Sequence, residues 1–186
     1  MKKMMMIAAM MIAAISANAQ NEVGQITLQP KAGINISTIT GDYNDKKAKV
    51  GLVAGVEAEY GISEKFGLAA GLLYSMQGCG FKETSYKYKL DYLNIPIVAQ
   101  FYPVKGLALK AGVQPGFCLS AKAGSAKITN KQSFDFSIPV GLSYEISKIV
   151  IDARYNFGVT KTFKDIQNWS PKNSVFHFTV GYKFGL

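Results

Sequence analysis

Apolar residues occupy every second position of residues 134–146, and the positions between them are polar or small. After the dipeptide Ser147-Lys148 the same alternation resumes over residues 149–159. Successive side chains of a β-strand leave opposite faces, so a period of two predicts two strands, and the two-residue connection predicts a hairpin. The apolar face of the first strand is long and carries aromatic residues near both ends, which is typical of a strand that faces lipid.

The same pattern recurs along the chain and predicts eight strands, near residues 29–39, 49–62, 66–78, 88–102, 107–120, 134–146, 149–159 and 174–184. The connections alternate between long and short, as in outer-membrane barrels with long extracellular loops and short periplasmic turns. An open strand edge in hydrocarbon would leave backbone groups unsatisfied, so the sheet is expected to close. We therefore predict an all-β fold, an eight-stranded antiparallel up-and-down transmembrane β-barrel. The alternative is a soluble, lipocalin-type barrel with the apolar face turned inward.

The first nineteen residues have the pattern of a secretory signal peptide. Lys2 and Lys3 form the basic region, residues 4–15 are apolar, and Ala17-Asn18-Ala19 is a small-x-small cleavage site. The prediction is a signal peptide at 1–19, a periplasmic lead at 20–28 and an outer-membrane barrel at 29–186, in a Gram-negative cell envelope. The alternative is a retained N-terminal anchor. No later apolar run is long enough to predict a membrane-spanning helix.

The chain is basic, with a formal charge of +9 that falls to +7 once Lys2 and Lys3 are removed. The excess lysine lies mainly in the predicted loops, and there is no arginine cluster. This distribution favours outer-membrane lipid and lipopolysaccharide as acidic partners over nucleic acid. Envelope proteins are a further class of partner, and a simply solvated basic surface is the plainer interpretation. The loop lysines are Lys46, Lys47, Lys122, Lys127, Lys131, Lys161, Lys164 and Lys172.

Four positive and four negative residues fall on the inward face of the predicted strands, all in the periplasmic half. An eight-stranded barrel is narrow enough to be filled by its own side chains, and charges inside it must be paired. The equal numbers therefore predict an ion-pair plug that closes the lumen. Its members are Lys31, Glu57, Glu59, Lys110, Glu145, Asp152, Arg154 and Lys183.

Inward residues of the outer half are small or neutral, which leaves two interpretations open. One is a polar site formed by Asp135, His177, Gln114 and Asn156. The other is that glycines accommodate the curvature of the barrel, while Tyr92 and the loops fill the space. His177 is the only histidine and no nucleophile motif accompanies it, so the chain is not expected to be an enzyme.

No cofactor or metal signature appears in the sequence. The two cysteines, Cys79 and Cys118, are expected on strands separated by another strand. Two strand spacings come to about 9–10 Å, beyond the usual reach of a disulfide. The glycines that flank Cys79 could let the chain adjust, so a bridge and two separate small residues both remain open.

The stretch YLNIPIVAQFYP, residues 92–103, resembles the PorT-type family of outer-membrane β-barrels from Bacteroidetes-type bacteria. Further matches are KAGINIS at 31–37, GLAAGLLYSMQG at 67–78, FDFSIPVGLSYEI at 134–146 and RYNFGVT at 154–160. The resemblance implies an eight-stranded barrel, usually of unassigned function. The chain departs from the family at Gly71, where relatives often carry glutamate, and in ending two residues after its last aromatic.

Three functions are compatible with these observations. The first is a structural or interaction component of the cell envelope that presents basic extracellular loops. The second is an accessory of a secretion or envelope assembly system, as the PorT resemblance suggests. The third is a barrel that binds a small solute or lipid in the outer half of its lumen.

Overall fold

The computed structural model describes residues 23–40, 46–81, 87–123, 126–127, 132–161 and 172–186, and they form a barrel of eight antiparallel strands. The strands are β1 (Ile26–Thr40), β2 (Lys46–Ser63), β3 (Phe66–Phe81), β4 (Lys87–Asn94 and Ile97–Val104), β5 (Leu107–Ala123), β6 (Phe134–Ile146), β7 (Ile149–Lys161) and β8 (Lys172–Tyr182, continued by Phe184–Gly185). A short strand, Ala126–Lys127, pairs with the end of β5. Residues 1–19 and 20–22 lie outside the described part of the chain.

Each strand pairs with its neighbour in sequence, and β1 pairs with β8 to close the sheet. The closing register runs from Lys31 opposite Gly181 to Thr40 opposite Lys172, with Leu28 opposite Phe184 below it. Three short turns, the start of β1 and the C-terminus lie at one end of the barrel, which we call the turn end. The longer connections lie at the other end, the loop end. Within the described ranges, no helix is long and apolar enough to cross a membrane.

Seven of the eight strands differ from the sequence-based bounds by one to three residues at one or both ends, and β1 and β4 differ in ways that change the interpretation. β1 begins at Ile26, so residues 26–28 of the predicted periplasmic lead belong to the barrel and pair with β2. β4 was expected to be continuous and is instead divided at Ile95-Pro96. Proline has no backbone N–H to donate to the ladder. The wall stays joined there because Gly71 N donates to Pro96 O (2.9 Å) and Ile95 N donates to Pro115 O (2.8 Å).

The two faces of the sheet have opposite character, which settles the choice between a membrane barrel and a soluble one. Ile138, Leu142 and Phe178 are 42%, 49% and 45% exposed on the outer wall, whereas Arg154 and Glu57 are 2% exposed in the lumen. A soluble container would need the reverse arrangement, with the apolar side chains inside. The prediction of a transmembrane barrel is confirmed, because an apolar outer wall around a polar interior suits hydrocarbon.

Candidate functional site: the charged lumen

Five charged side chains from four strands meet inside the barrel, in the half nearer the turn end. Lys31 lies on β1, Glu57 on β2, Lys110 on β5, and Asp152 and Arg154 on β7. We call these five residues the inner cluster. All are 5% exposed or less, so each charge depends on its neighbours rather than on solvent.

Arg154 binds both carboxylates of the inner cluster. Its Nη1 donates to Glu57 Oε1 at 2.8 Å, and its Nη2 donates to Asp152 Oδ2 at 2.9 Å and to Glu57 Oε2 at 3.3 Å. Lys31 donates to Glu57, and Lys110 donates to Asp152 Oδ2 at 2.7 Å. Lys31 Nζ also lies 3.6 Å from Asp152 Oδ2. Every charge of this cluster therefore contacts at least one opposite charge across the lumen.

The other three predicted charges form a rim cluster at the turn end. Lys183 Nζ lies 2.7 Å from Glu145 Oε2 and 3.0 Å from Glu59 Oε2. Tyr102, which the sequence analysis did not single out, donates from its hydroxyl to Glu59 Oε1 at 2.6 Å. The inner cluster has one excess positive charge and the rim cluster one excess negative charge, so the eight residues balance only when the two clusters are taken together.

Glycines stand beside the charged residues in the register of the barrel. Lys31 lies between Gly55 and Gly181, Glu57 is opposite Gly71, and Gly141 lies between Lys110 and Arg154. A Cβ at Gly71 would lie 2.5 Å from Glu57 Cγ and 2.9 Å from Val56 O. The alternation of large and small inward residues lets long charged side chains cross an interior as narrow as that of an eight-stranded barrel.

The four residues of the expected outer-lumen site are all buried, but the structure does not bring them to one point. Gln114 Nε2 donates to Ser137 Oγ at 3.2 Å, and Asn156 Nδ2 donates to Val175 O at 3.3 Å. Asp135 accepts from Thr160 Oγ1 at 2.7 Å, and His177 Nε2 lies 3.5 Å from Ser75 Oγ. These separate partners give each of the four side chains a local structural role.

A polar network that the sequence analysis missed surrounds His177. Ser75 Oγ accepts hydrogen bonds from Asn35 Nδ2 and from Gln77 Nε2, both at 3.1 Å. Asn173 donates in turn to Gln77. For Asn35, Ser75 and Gln77 inward parity was the only signal in the sequence, whereas Asn173 was expected in a loop and instead lies on β8. Their mutual contacts depend on which strands become neighbours after closure.

The inward glycines of the outer half favour close packing over an open pocket. At Gly33, Gly51 and Gly112 an added Cβ would collide with a backbone oxygen of the neighbouring strand. Strand curvature therefore explains why these positions have no side chain. Cys118 is buried. The side chain of Cys79 lies outside the described residues, so the two alternatives for Cys79 and Cys118, a disulfide or two separate residues, lie outside them too.

The described residues contain no group of three or more histidine, cysteine, aspartate or glutamate side chains placed to hold a metal ion. The carboxylates of the inner cluster instead contact lysine and arginine. The paired charges of the lumen therefore have a structural role, because they join strands that are not neighbours in the sheet.

A closed antiparallel barrel with an apolar outer wall and a paired charged interior is a small outer-membrane β-barrel protein. The model of the outer membrane protein beta-barrel domain family matches residues 18–164. The chain belongs to that family, and its location is the outer membrane.

Solved structures show the same fold in distant sequences. Ail, the attachment invasion locus protein of Yersinia pestis, in complex with the heparin analogue sucrose octasulfate, aligns with a TM-score of 0.56 at 18% identity, over 88% of this chain and 100% of Ail. Neisserial surface protein A aligns with a TM-score of 0.53 at 15% identity, over 85% of this chain and 95% of that protein. Identities this low show the fold alone. No curated protein matches the chain.

Proposed function

We propose that the protein is a non-enzymatic structural or interaction component of the cell envelope, and that it works through its loop end rather than by conducting solutes. The observation that carries this proposal is the inner cluster, in which Arg154 and Asp152 of β7 pair across the lumen with Glu57 of β2 and Lys31 of β1, while Lys110 of β5 pairs with Asp152. A narrow barrel filled in this way has little room for a continuous aqueous path. The surfaces left for function are the outer wall and the two ends.

Conductance across planar lipid bilayers tests the closed lumen. The purified full-length barrel is expected to give no steady open state of porin size. The variant Arg154→Ala/Lys110→Ala, which removes two of the crossing side chains, is expected to raise the conductance. A steady porin-sized current from the unchanged protein would contradict the proposal. The matched control is Lys148→Ala, a substitution in the exposed turn, which should conduct as the unchanged protein does.

The resemblance of residues 92–103 to the PorT-type family suggests one class of partner, an envelope assembly or secretion system. Cross-linking of intact cells followed by mass spectrometry tests this. Cross-links from loop-end residues such as Lys172 to envelope proteins would support an interaction role. Cross-links only to abundant porins, at the level that an unrelated small barrel also shows, would count against an interaction role.

The third function, binding of a small solute or lipid in the outer lumen, has weaker support. Gln114, Asp135, Asn156 and His177 are buried and bind partners within the barrel, as described above. Mass analysis of lipids and solutes that co-purify with the folded protein would distinguish this function. A stoichiometric ligand lost on His177→Ala, with the barrel still folded, would favour the lumen over the loop end.

A further inference from the structure

Two lysines face each other on the outer wall, near the loop end of the barrel. Lys89 on β4 is the register partner of Lys122 on β5, and Lys122 is in turn the register partner of Lys127 on the short strand Ala126–Lys127. Residues directly opposite each other on antiparallel strands share a face, with Cα atoms about 4.5–5.5 Å apart. Lys89 and Lys122 are both exposed. We call them the lysine pair.

Neither lysine of the pair forms an ion pair with another described residue. The ion pairs of the described residues all lie in the lumen, and none involves Lys89 or Lys122. The outward carboxylate on the same strand, Asp91, is hydrogen-bonded to Tyr74. Like charges placed directly opposite each other destabilise a sheet. An anion that contacts both ammonium groups would turn this unfavourable pair into a stabilising one.

The wall below the lysine pair is apolar. Phe117 is 44% exposed and Leu119 is 54% exposed on β5, and Leu93 is opposite Phe117 on β4. With a rise of about 3.3 Å per residue and a tilt of about 45°, Lys122 stands about 7 Å above Leu119 along the barrel axis. The lysine pair therefore lies just beyond the outward apolar surface, at the depth expected for lipid headgroups.

We propose that Lys89 and Lys122 bind a phosphate group of an outer-leaflet glycolipid, whose acyl chains lie along Phe117 and Leu119. Two ammonium groups on one face can both donate to the oxygens of a single phosphate, and such charge-assisted hydrogen bonds are stronger than neutral ones. The chemistry and the depth of the site select a lipid phosphate rather than a soluble anion. The site requires the orientation in which the loop end faces outward, and it does not require the protein partner proposed above.

Native mass spectrometry of the folded full-length protein in detergent tests the site with lipid A carrying both phosphates. The unchanged protein is expected to retain lipid A. It is not expected to retain the dephosphorylated lipid when that lipid is supplied instead. The variant Lys89→Gln/Lys122→Gln should bind at least about tenfold more weakly, because both charge-assisted hydrogen bonds to the phosphate are lost. The variant Lys65→Gln/Lys148→Gln, with the same loss of charge at the turn end, should bind as the unchanged protein does.

Several outcomes would overturn the proposal. The lysine-pair variant binding as the unchanged protein does would remove the site, and an equal loss in the turn-end variant would reduce it to general charge attraction. Equal retention of phosphatidylglycerol at the lysine pair would show a phosphate site without glycolipid preference. The heat-dependent shift in gel mobility of each variant verifies that it is folded. Conductance and cross-linking to proteins do not depend on the lysine pair, so failure here is distinguishable from failure of the proposed function.

Discussion

Glu57 is the residue on which the inner cluster depends most. It binds both Arg154 and Lys31, so its removal leaves three positive charges facing the single carboxylate of Asp152. Removal of Arg154 instead leaves two positive and two negative charges. Breaking a buried ion pair by removing one partner is far more costly than the pair's net contribution, because an uncompensated charge stays buried.

We therefore expect Glu57→Gln to lower the free energy of unfolding by about 3–5 kcal/mol and Arg154→Met to lower it by less. Urea unfolding of the barrel in lipid vesicles, followed by gel mobility, measures both. Glu64→Gln in an exposed turn is the matched control and should change stability by well under about 1 kcal/mol. An Arg154 variant less stable than the Glu57 variant would contradict this account of the charges.

Gly71 illustrates a constraint that a side chain imposes on the neighbouring strand. The space that a Cβ would take at Gly71 is occupied by Cγ of Glu57 and by a backbone oxygen. Gly71→Ala is expected to destabilise the barrel by about 1–3 kcal/mol through overpacking. Gly185→Ala, where the nearest group is the flexible end of Gln25 at 3.2 Å, should be close to neutral in the same unfolding measurement.

At this scale the sequence predicted which residues point inward but not which of them meet. Parity along each strand is local, and it placed all eight charged residues in the lumen. The contact between Glu57 and Arg154 depends on the register between strands at opposite ends of the chain. No local pattern encodes that register, and the same limit explains why the network of Asn35, Ser75 and Asn173 was missed.

Among the elements, β6 was predicted with the bounds that the structure shows, Phe134–Ile146, whereas β4 was not. In β6 the apolar and polar positions alternate without interruption, and a tight turn ends the strand. In β4 the alternation continues through Pro96, but the missing N–H divides the ladder there. Alternation reports the faces of a strand, and the continuity of its hydrogen bonds is a separate property.

The lipid-facing wall of β6 allows a test by depth. Val140 lies near the middle of the strand and Ile146 lies beside the turn, and both are exposed on the outer wall. Val140→Lys is expected to cost about 2–4 kcal/mol of unfolding free energy and Ile146→Lys about 0–1 kcal/mol, since a charge near the interface reaches water. Equal costs measured in bilayers would indicate that this face does not cross hydrocarbon.

For the molecule as a whole, the two ends differ in a way that fixes a testable orientation. Lys65, Lys105 and Lys148 are exposed at the turn end, and Lys172 is exposed at the loop end. Outer-membrane barrels place their short turns in the periplasm. An amine reagent that cannot cross the outer membrane should therefore label Lys172 on intact cells. It should label the three turn-end lysines only after the membrane is permeabilised. Peptide mass spectrometry identifies the labelled residues, and the reverse pattern would contradict this orientation.

The seam between β1 and β8 has a consequence for biogenesis. Lys31 and Glu57 come from the part of the polypeptide that is exported first, and Asp152 and Arg154 from a part exported much later. Each part holds one ion pair of its own, but the pairs Glu57–Arg154 and Lys31–Asp152 form only once both parts are in place. We therefore expect the barrel to close cooperatively, with the two halves of the lumen joined only when the last strands have arrived.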